Sequence, residues 1–185
     1  SATSPSLTLS GDYPNFFRTI ASDDAQGALA AMFAIEKLGL KKPAIIHDKG
    51  DYGKGFAEYT MKYIKEKVLS LFLQKVKASG ADGVIFGGYH PEASKVVSQM
   101  RKKKMTIPFL SDDGVKAQTF IDIAGDASEG VYATGPQDIT GNPMYKVALK
   151  QYKDSHYGGE PGAFYFEAYS AALALLKAIE NAKST

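Results

Sequence analysis

Short runs of apolar residues alternate along the chain with longer segments whose apolar residues recur at helical spacing. The apolar runs are predicted to be strands at residues 44–47, 83–87, 108–111 and 130–134. They are almost continuously apolar, which is typical of strands covered by helices on both faces. The pattern therefore predicts an α/β fold with a doubly wound, mostly parallel sheet of flavodoxin-like or Rossmann-like form, built from right-handed βαβ units.

The helical segments are predicted at about residues 24–38, from 53 to 68 and onward, and at 92–103, 115–124, 143–156 and 163–182. Asp23, with Gln26 three residues later, predicts a capping box at the start of the first helix. Gly39 is a natural end for that helix. A shorter extended piece is predicted at residues 15–18, leading into it.

Two segments depart from strand–helix alternation. Residues 53–79 contain no predicted strand, and one face stays apolar at helical spacing throughout. Either one helix of about 26 residues, close to 39 Å long, runs here, or a segment is missing near Val68 and Leu69. The unbroken helical phase across that point favours a deliberate join over a disordered loop. After Pro136, two helices follow in succession, which predicts that they were taken from a neighbouring domain or have lost their sheet.

Composition narrows the class of protein. The 185 residues are 44% hydrophobic and 23% charged, which is ordinary for a globular domain. The net charge of +2 is too small to indicate nucleic-acid binding, and the basic run Arg101–Lys104 is interpreted as the charged end of a helix. The absence of Cys excludes disulfides, thiolate catalysis and Cys-ligated zinc. No apolar run approaches the roughly 20 residues that span a bilayer.

Two similar strand ends are the most informative feature for function. At residues 82–92 an apolar strand stops at two glycines, presents Tyr89 and opens a helix. At residues 44–53 an apolar strand again ends in a glycine-containing turn, followed by Tyr52 and a helix. Small ligands of α/β sheets are held at such strand ends. The sequence therefore predicts that Tyr52 and Tyr89 face one crevice.

The motifs of common enzymes and cofactor sites are absent from the sequence. The three His residues are far apart in the pattern, so no metal site is expected. There is no Gly-x-Ser-x-Gly nucleophile turn, and the Gly-rich stretch at residues 50–55 lacks the Gly-Lys-Ser/Thr ending of a phosphate loop. We expect no catalytic activity and no cofactor. One alternative stays open, a flavodoxin-like enzyme or phosphoacceptor that holds a metal ion between Asp48 and Asp112.

A set of short motifs occurs in order over nearly the whole chain: Thr3-Ser-Pro-Ser-Leu-Thr8, Arg18-Thr19 with Asp23 and Gln26-Gly27, His47-Asp48-Lys49 with Tyr52-Gly53, Gly87-Gly88-Tyr89-His90-Pro91-Glu92, Ala124-Gly125 with Glu129-Gly130, and Gly162-Ala163-Phe164. With these motifs the chain resembles the branched-chain amino-acid (Leu/Ile/Val) binding proteins. That family comprises type I periplasmic binding proteins that serve ABC importers.

The resemblance implies a domain organisation. Residues 1–136 resemble the second lobe of such a protein, without one strand near residues 68–69. Residues 137–185 resemble two helices that belong to the first lobe in the family. Family members carry a first-lobe core before Ser1 and further strands after Ala182, so we expect a fragment or an engineered chain. A signal peptide that preceded Ser1 could have been removed, and the expected location of the parent protein is periplasmic or extracytoplasmic.

The same resemblance implies how an amino-acid ligand is held. Asp113 would accept the α-ammonium, although its side chain is one methylene shorter than the Glu that family members often have there. Tyr52 and Tyr89 would close over the ligand. The alternative for Asp112 and Asp113 is a cap on the helix near Val115, which is the preferred interpretation for Asp112. For the two tyrosines the alternative is ordinary packing, since the chain contains 11 Tyr.

Three further contacts are implied. Phe164 resembles the aromatic residue that touches the ligand's side chain, although it also begins an apolar helix face with Tyr169, Leu173 and Leu176. Ser1 and Thr3 match the segment whose hydroxyl and backbone groups hold the α-carboxylate, and the rest of that carboxylate site lies on the lobe that is absent here.

The expected function is reversible, non-catalytic binding of an aliphatic amino acid for delivery to an ABC permease. The alternative is an engineered or excised lobe that serves as a scaffold with no appreciable ligand binding. We expect a homodimer, with domain swapping as one route, because a sheet without one edge strand and tail helices without a sheet leave surface to cover.

Overall fold

A four-stranded parallel sheet forms the centre of the computed structural model, which describes residues 2–64 and 73–183. Its strands are β1 (Pro43–His47), β2 (Gly83–Gly87), β3 (Phe109–Ser111) and β4 (Val131–Ala133). They pair in sequence order, β1-β2-β3-β4, and every pairing is parallel. Each predicted strand is confirmed to within one residue at either end.

Helices connect and flank the strands. They are α1 (Ser6–Leu9), α2 (Asp23–Met32), α3 (Asp51–Tyr63), α4 (Leu73–Ala78), α5 (His90–Lys102), α6 (Gln118–Ala124), α7 (Pro143–Asp154) and α8 (Tyr165–Ala182). A π-helical turn, Phe33–Lys37, extends α2, and 3-10 turns occupy Asp113–Val115 and Gly125–Ser128. Within the described parts of the chain, no helix is both long enough and apolar enough to cross a membrane.

Helices cover the sheet on both faces, as predicted for a doubly wound fold. Alternate residues of β2 point to opposite faces, so Val84 and Phe86 join one buried cluster and Ile85 joins the other. The first cluster is completed mainly from α5 and α6: Ala93, Val97, Met100, Phe120 and Ala124. The second is completed mainly from α2 and α3: Ala30, Ala31, Phe56 and Ala57. Burial on both faces explains why the strand sequences are continuously apolar.

The start of α2 differs from the prediction. Ser22, with extended backbone angles, is the residue that caps the helix, and Asp23 is already its first helical residue. The backbone N–H of Asp23, which has no partner within the helix at this position, donates to the carbonyl oxygen of Thr3 at 3.0 Å. The capping-box prediction for Asp23 and Gln26 is therefore wrong. The predicted end is confirmed, because Gly39 follows the helix with a positive φ of 66°.

Of the two alternatives for residues 53–79, one continuous helix is wrong. Helix α3 ends at Tyr63, and Ile64 leaves the helical conformation with a ψ of 99°. Its side chain is buried in the cluster with Ile45 and Ile85. The spacing of apolar residues does not reveal this helix end, because Ile64 is apolar and buried, as the next core position of a continuing helix would be. The expected gap near Val68 and Leu69 lies outside the described residues. At residues 15–18, predicted to be extended, no strand forms.

The chain divides into two compact units. The first comprises Ser1–Pro14 and Ala21–Gly135, and the second comprises Asn15–Ile20 and Pro136–Thr185. The second unit contains α7 and α8, the two successive helices that the sequence predicted. The assignment of these units to the two lobes of a periplasmic binding protein stays a prediction, and the sequence did not indicate that Asn15–Ile20 belongs with the second unit.

Candidate ligand-binding site

Glycines bring the ends of β1 and β2 close to the start of α3. A Cβ atom at Gly53 would lie 2.4 Å from the carbonyl oxygen of Gly87, and a Cβ atom at Gly87 would lie 2.2 Å from that of Gly53. Only glycine therefore allows these backbones to touch. The contact brings Tyr52, in the first turn of α3, next to Tyr89, which caps α5. Their ring centroids lie 5.2 Å apart.

Tyr52 and Asp113 meet in the interior of the site. The hydroxyl group of Tyr52 donates a hydrogen bond to Oδ1 of Asp113, and both side chains are buried. Burial raises the pKa of Tyr52 above its usual value, and the negative charges of Asp112 and Asp113 raise it further. The phenol consequently stays protonated and acts as a hydrogen-bond donor. The structure thus brings together three of the predicted site residues, Tyr52, Tyr89 and Asp113.

Gln26 is a site residue that the sequence reasoning missed. Its Oε1 lies 3.2 Å from the Tyr52 hydroxyl oxygen, whose single hydrogen is shared between Asp113 and Gln26, and its Nε2 donates to Oγ1 of Thr134 at 2.9 Å. All three side chains are buried. A signal was available, because Gln26 shares its helix face with Ala30 and Ala34 at four-residue spacing, and both of those are core residues. A polar residue on an apolar helix face needs partners inside the fold.

Asp112 is fully buried and accepts two backbone hydrogen bonds. Its Oδ1 accepts from the N–H of Gly114 at 2.9 Å, so the predicted capping role of Asp112 is confirmed at the 3-10 turn Asp113–Val115. Its Oδ2 accepts from the N–H of Gly88 at 2.8 Å, a bond to the next strand end that the sequence did not indicate. Burial raises the pKa of Asp112 to about 8, while the two backbone donors act in the opposite direction.

Tyr89 forms the open side of the site. It is 41% exposed, in contrast to the buried Tyr52. Partial burial raises the pKa of Tyr89, and Asp112 and Asp48 raise it further, so this phenol is also neutral. An exposed aromatic ring beside a buried carboxylate provides apolar surface and charge recognition in one crevice.

The remaining predicted site residues lie in different places. Thr3 is buried, and its carbonyl oxygen accepts from Asp23 at the start of α2, the helix that carries Gln26. Ser1 lies outside the described residues. Phe164 directly precedes α8 in the second unit, whereas the site above is built wholly from the first unit.

The proposed metal pair of Asp48 and Asp112 has other partners. Oδ1 of Asp48 accepts from the N–H of Gly50 at 2.7 Å, and both oxygens of Asp112 accept backbone N–H groups. In the portion of the chain that the structure describes, no three His, Cys, Asp or Glu residues are arranged to hold a metal ion. The site described above consists of the buried carboxyl group of Asp113 beside the phenol groups of Tyr52 and Tyr89.

Comparison with known proteins identifies the family. The sequence model of the family described as periplasmic binding protein matches residues 1–185. The chain belongs to this family. It is 34% identical over 197 residues to the leucine-, isoleucine-, valine-, threonine- and alanine-binding protein of Pseudomonas aeruginosa, a match that covers 98% of this chain and 52% of the relative. It is also 34% identical over 198 residues to Leu/Ile/Val-binding protein homolog 1 of Brucella suis, with 99% and 53% covered.

A solved structure supports the same relationship. The crystal structure of a leucine-binding protein from Thermotoga maritima aligns with a TM-score of 0.81 at 30% identity, covering 90% of this chain and 52% of that one. The 185-residue chain spans about half the length of the curated relatives it matches. The match to the Pseudomonas protein extends over 197 residues, more than the 185 of this chain, so the relative contains additional residues within the matched region.

Proposed function

We propose that this chain forms one side of an extracytoplasmic binding site for an aliphatic amino acid, in a protein that delivers the amino acid to an ABC importer. The observation that carries the proposal is the grouping of Tyr52, Tyr89 and Asp113 at the ends of neighbouring parallel strands. Relatives at 34% identity are named for binding leucine, isoleucine and valine, which supports the ligand class. Binding of this kind is reversible and involves no chemical step.

Asp113 is proposed to accept the ligand's ammonium group. Its carboxyl group is buried beside the Tyr52 hydroxyl group, and none of the ion pairs among the described residues involves it. A buried carboxylate without a cationic neighbour is costly, and an ammonium group from the ligand would supply the missing charge. The resulting charge-assisted hydrogen bond is about twice as strong as a neutral one.

Tyr52 and Tyr89 are proposed to contact the ligand's carbon atoms. The two rings are tilted by 37° relative to each other, and only that of Tyr89 is substantially exposed. An aliphatic side chain that packs against the exposed ring would remove apolar surface from water while the phenol group stays hydrated. This arrangement suits a small amino acid better than a large polar ligand.

The α-carboxylate requires groups beyond this cluster. Hydrogen bonds to charged groups contribute about 1.5–3 kcal/mol each. If two or three carboxylate contacts belong to the half of the protein that this chain does not span, their absence costs about 3–9 kcal/mol, a factor of roughly 10² to 10⁶ in affinity. We therefore expect the 185-residue chain alone to bind leucine, isoleucine or valine in the millimolar range or not at all.

A ligand series tests this function. L-leucine, isoamylamine and 4-methylpentanoate share an aliphatic side chain, but isoamylamine lacks the carboxylate and 4-methylpentanoate lacks the ammonium group. We expect isoamylamine to bind this chain about as well as leucine does, and 4-methylpentanoate to bind more weakly than both, in calorimetric or NMR titrations. Micromolar leucine binding would contradict the expectation that this chain carries only part of the binding site. Preferential binding of 4-methylpentanoate would contradict the proposal that Asp113 accepts the ammonium group.

Binding of leucine, isoleucine and valine to chains of two lengths decides between a ligand-binding role and a scaffold role. A full-length form, as long as the relatives, should bind leucine, isoleucine or valine much more tightly than this chain does. If neither form binds any of the three, the scaffold interpretation is favoured and the proposed function is wrong. The choice among the three amino acids depends on pocket residues contributed by both halves.

A further inference from the structure

Asp112 connects the backbone segment that carries Tyr89 to the segment that carries Asp113, the proposed ammonium acceptor. Gly88, which donates to its Oδ2, directly precedes Tyr89. Gly114, which donates to its Oδ1, directly follows Asp113. The last paired residues of β2 and β3 are Phe86 and Ser111. The two hydrogen bonds of Asp112 therefore link the segments that follow these strands, beyond the end of the sheet.

We propose that Asp112 is a positioning residue for the ammonium subsite: its carboxyl group ties the end of β2 to the loop after β3 and thereby sets the spacing between Tyr89 and Asp113. Asp112 acts through these neighbours and does not itself contact the ligand. The proposal rests on the proposed function, because it concerns the subsite that Tyr89 and Asp113 would form.

Close packing makes the geometry of this tie specific. A Cβ atom at Gly114 would lie 2.5 Å from the carbonyl oxygen of Gly88, and one at Gly88 would lie 2.6 Å from Oδ2 of Asp48. The backbone of Gly114 can approach that of Gly88 only because Gly114 lacks a side chain, and Gly88 lies too close to Asp48 to carry one. The two oxygens of the Asp112 carboxyl group accept one N–H group each, whereas the amide of Asn at this position would present an NH2 donor to one of them.

The groups around Asp112 determine when its carboxyl group is charged. Asp48 faces it from the end of β1, Asp113 from its own loop, Tyr52 from α3 and Tyr89 from the start of α5. Burial raises the pKa of Asp112 to about 8, and the charges of Asp113 and Asp48 act in the same direction. The ionised form accepts hydrogen bonds more strongly, so the tie becomes stronger as the pH rises through this value.

Backbone NMR of the isotope-labelled 185-residue chain tests the tie without any ligand. In the wild type, the amide signals of Gly88 and Gly114 should titrate with a common midpoint near pH 8. In Asp112→Asn that common step should disappear, because the titrating group is gone. In the matched control Asp48→Asn the step should persist and move to lower pH, because the charge of Asp48 raises the pKa of Asp112. Separate midpoints for the two glycines, or a common step that survives in Asp112→Asn, would overturn the proposal.

Contacts between the rings of Tyr52 and Tyr89 test the positioning itself. Their 5.2 Å separation predicts clear nuclear Overhauser effects in the wild type and in Asp48→Asn. These effects should weaken in Asp112→Asn, which keeps one acceptor oxygen, and should be lost in Asp112→Ala, which keeps none. If Asp112→Ala does not fold, Asp112→Asn decides the question. Unchanged ring contacts in Asp112→Asn would overturn the positioning role.

Leucine binding separates this inference from the proposed function. In a full-length form, Asp112→Asn should raise the dissociation constant of leucine about tenfold, whereas Asp48→Asn should change it less. If the wild type does not bind leucine while the amide and ring measurements behave as expected, the proposed function fails and the tie stands. If wild type and Asp112→Asn bind leucine equally well, the positioning role fails and the proposed function stands.

Discussion

At the scale of single residues, two adjacent carboxyl groups have different environments. Asp112 is fully buried and accepts backbone N–H groups through both oxygens, whereas Asp113 accepts the hydroxyl group of Tyr52. Only Asp113 has a side-chain donor that a ligand could join. Neighbours in the chain can therefore serve structure and recognition separately, because Asp112 caps the 3-10 turn that Asp113 begins and the two carboxyl groups meet different donors.

The ammonium subsite predicts the effect of removing its groups. In a full-length form, Asp113→Ala should weaken amino-acid binding at least about tenfold, because the loss of a charge-assisted bond costs about 1.5–3 kcal/mol. Tyr89→Ala should weaken it to a similar degree through the loss of apolar contact. Calorimetric titration with leucine checks both, and the exposed Asp126→Ala serves as the control. Unchanged affinity in both site variants would remove the site assignment.

Asp112 also predicts how stability depends on pH. Its pKa is raised from 3.8 to about 8 in the folded protein, so the folded state holds the proton more tightly than the unfolded state. This contribution to stability is fully present below about pH 4 and is lost as the pH rises to about 8, by up to about 1.4 kcal/mol per pH unit. In urea unfolding at several pH values, the free energy of unfolding should decline less steeply with rising pH in Asp112→Asn than in the wild type. Equal slopes in both proteins would contradict the raised pKa.

At the scale of elements, glycine contacts assemble the site from separate strand ends. Helix α3 can begin against the end of β2 because Gly53 and Gly87 allow their backbones to touch. Similarly, Gly27 lets the first turn of α2 approach α3, since a Cβ atom there would lie 2.8 Å from the N of Thr60. These contacts place Gln26 and Tyr52 within hydrogen-bonding distance, 26 residues apart in the chain.

A methyl group at Gly53 should therefore separate these elements. The Cβ atom of Gly53→Ala would lie 2.4 Å from a carbonyl oxygen that belongs to a strand, so the backbone must shift. We expect a loss of about 1–3 kcal/mol in the free energy of unfolding, typical of overpacking, and weaker contacts between the rings of Tyr52 and Tyr89. Gly141→Ala is the matched control, because nothing lies within 4 Å of its added Cβ atom. Equal stability of the two variants in urea would contradict the close approach.

At the scale of the whole molecule, the two units differ in how well they bury apolar residues. The first contains both sheet-covering clusters, whereas α8 in the second has no buried residue, with Leu175 66% and Leu176 62% exposed. Helices of a protein that spans only half the length of its relatives would expose such faces if their packing partners lie in the other half. Exposed apolar surface of this kind favours association.

We therefore expect this chain to form a homodimer, with exchange of α7 and α8 between copies as one route. Light scattering should report twice the monomer mass of 19.9 kDa at micromolar concentration. Leu176→Glu should shift the protein toward monomer, because a charged group on the apolar face opposes burial. The control Ser170→Glu replaces an exposed polar residue of α8 and should leave the mass unchanged. A monomer mass for the wild type across this range would contradict the expectation.

The amino-acid sequence was sufficient to predict the four strands, the parallel doubly wound sheet, most of the helices and the resemblance to the family. Continuous apolar runs such as Gly83–Gly87 can be satisfied only by burial on both faces, and this constraint is visible locally. It also indicated Tyr52 and Tyr89, because strand ends in such sheets converge on one edge.

The connections within the site became visible only in the folded chain. The partners of Gln26 lie 26 and 108 residues away, and the second bond of Asp112 reaches back 24 residues to Gly88. Ile64, which follows the end of α3, is buried with Ile45 and Ile85, and Asp23 at the start of α2 donates to the carbonyl oxygen of Thr3, so these helix ends also involve partners distant in the chain. Local periodicity records which side of an element is buried, but it does not record which distant polar group completes a hydrogen bond there. For that reason the grouping of Tyr52, Tyr89 and Asp113 could be predicted, whereas Gln26 and the hydrogen bonds that connect these residues could not.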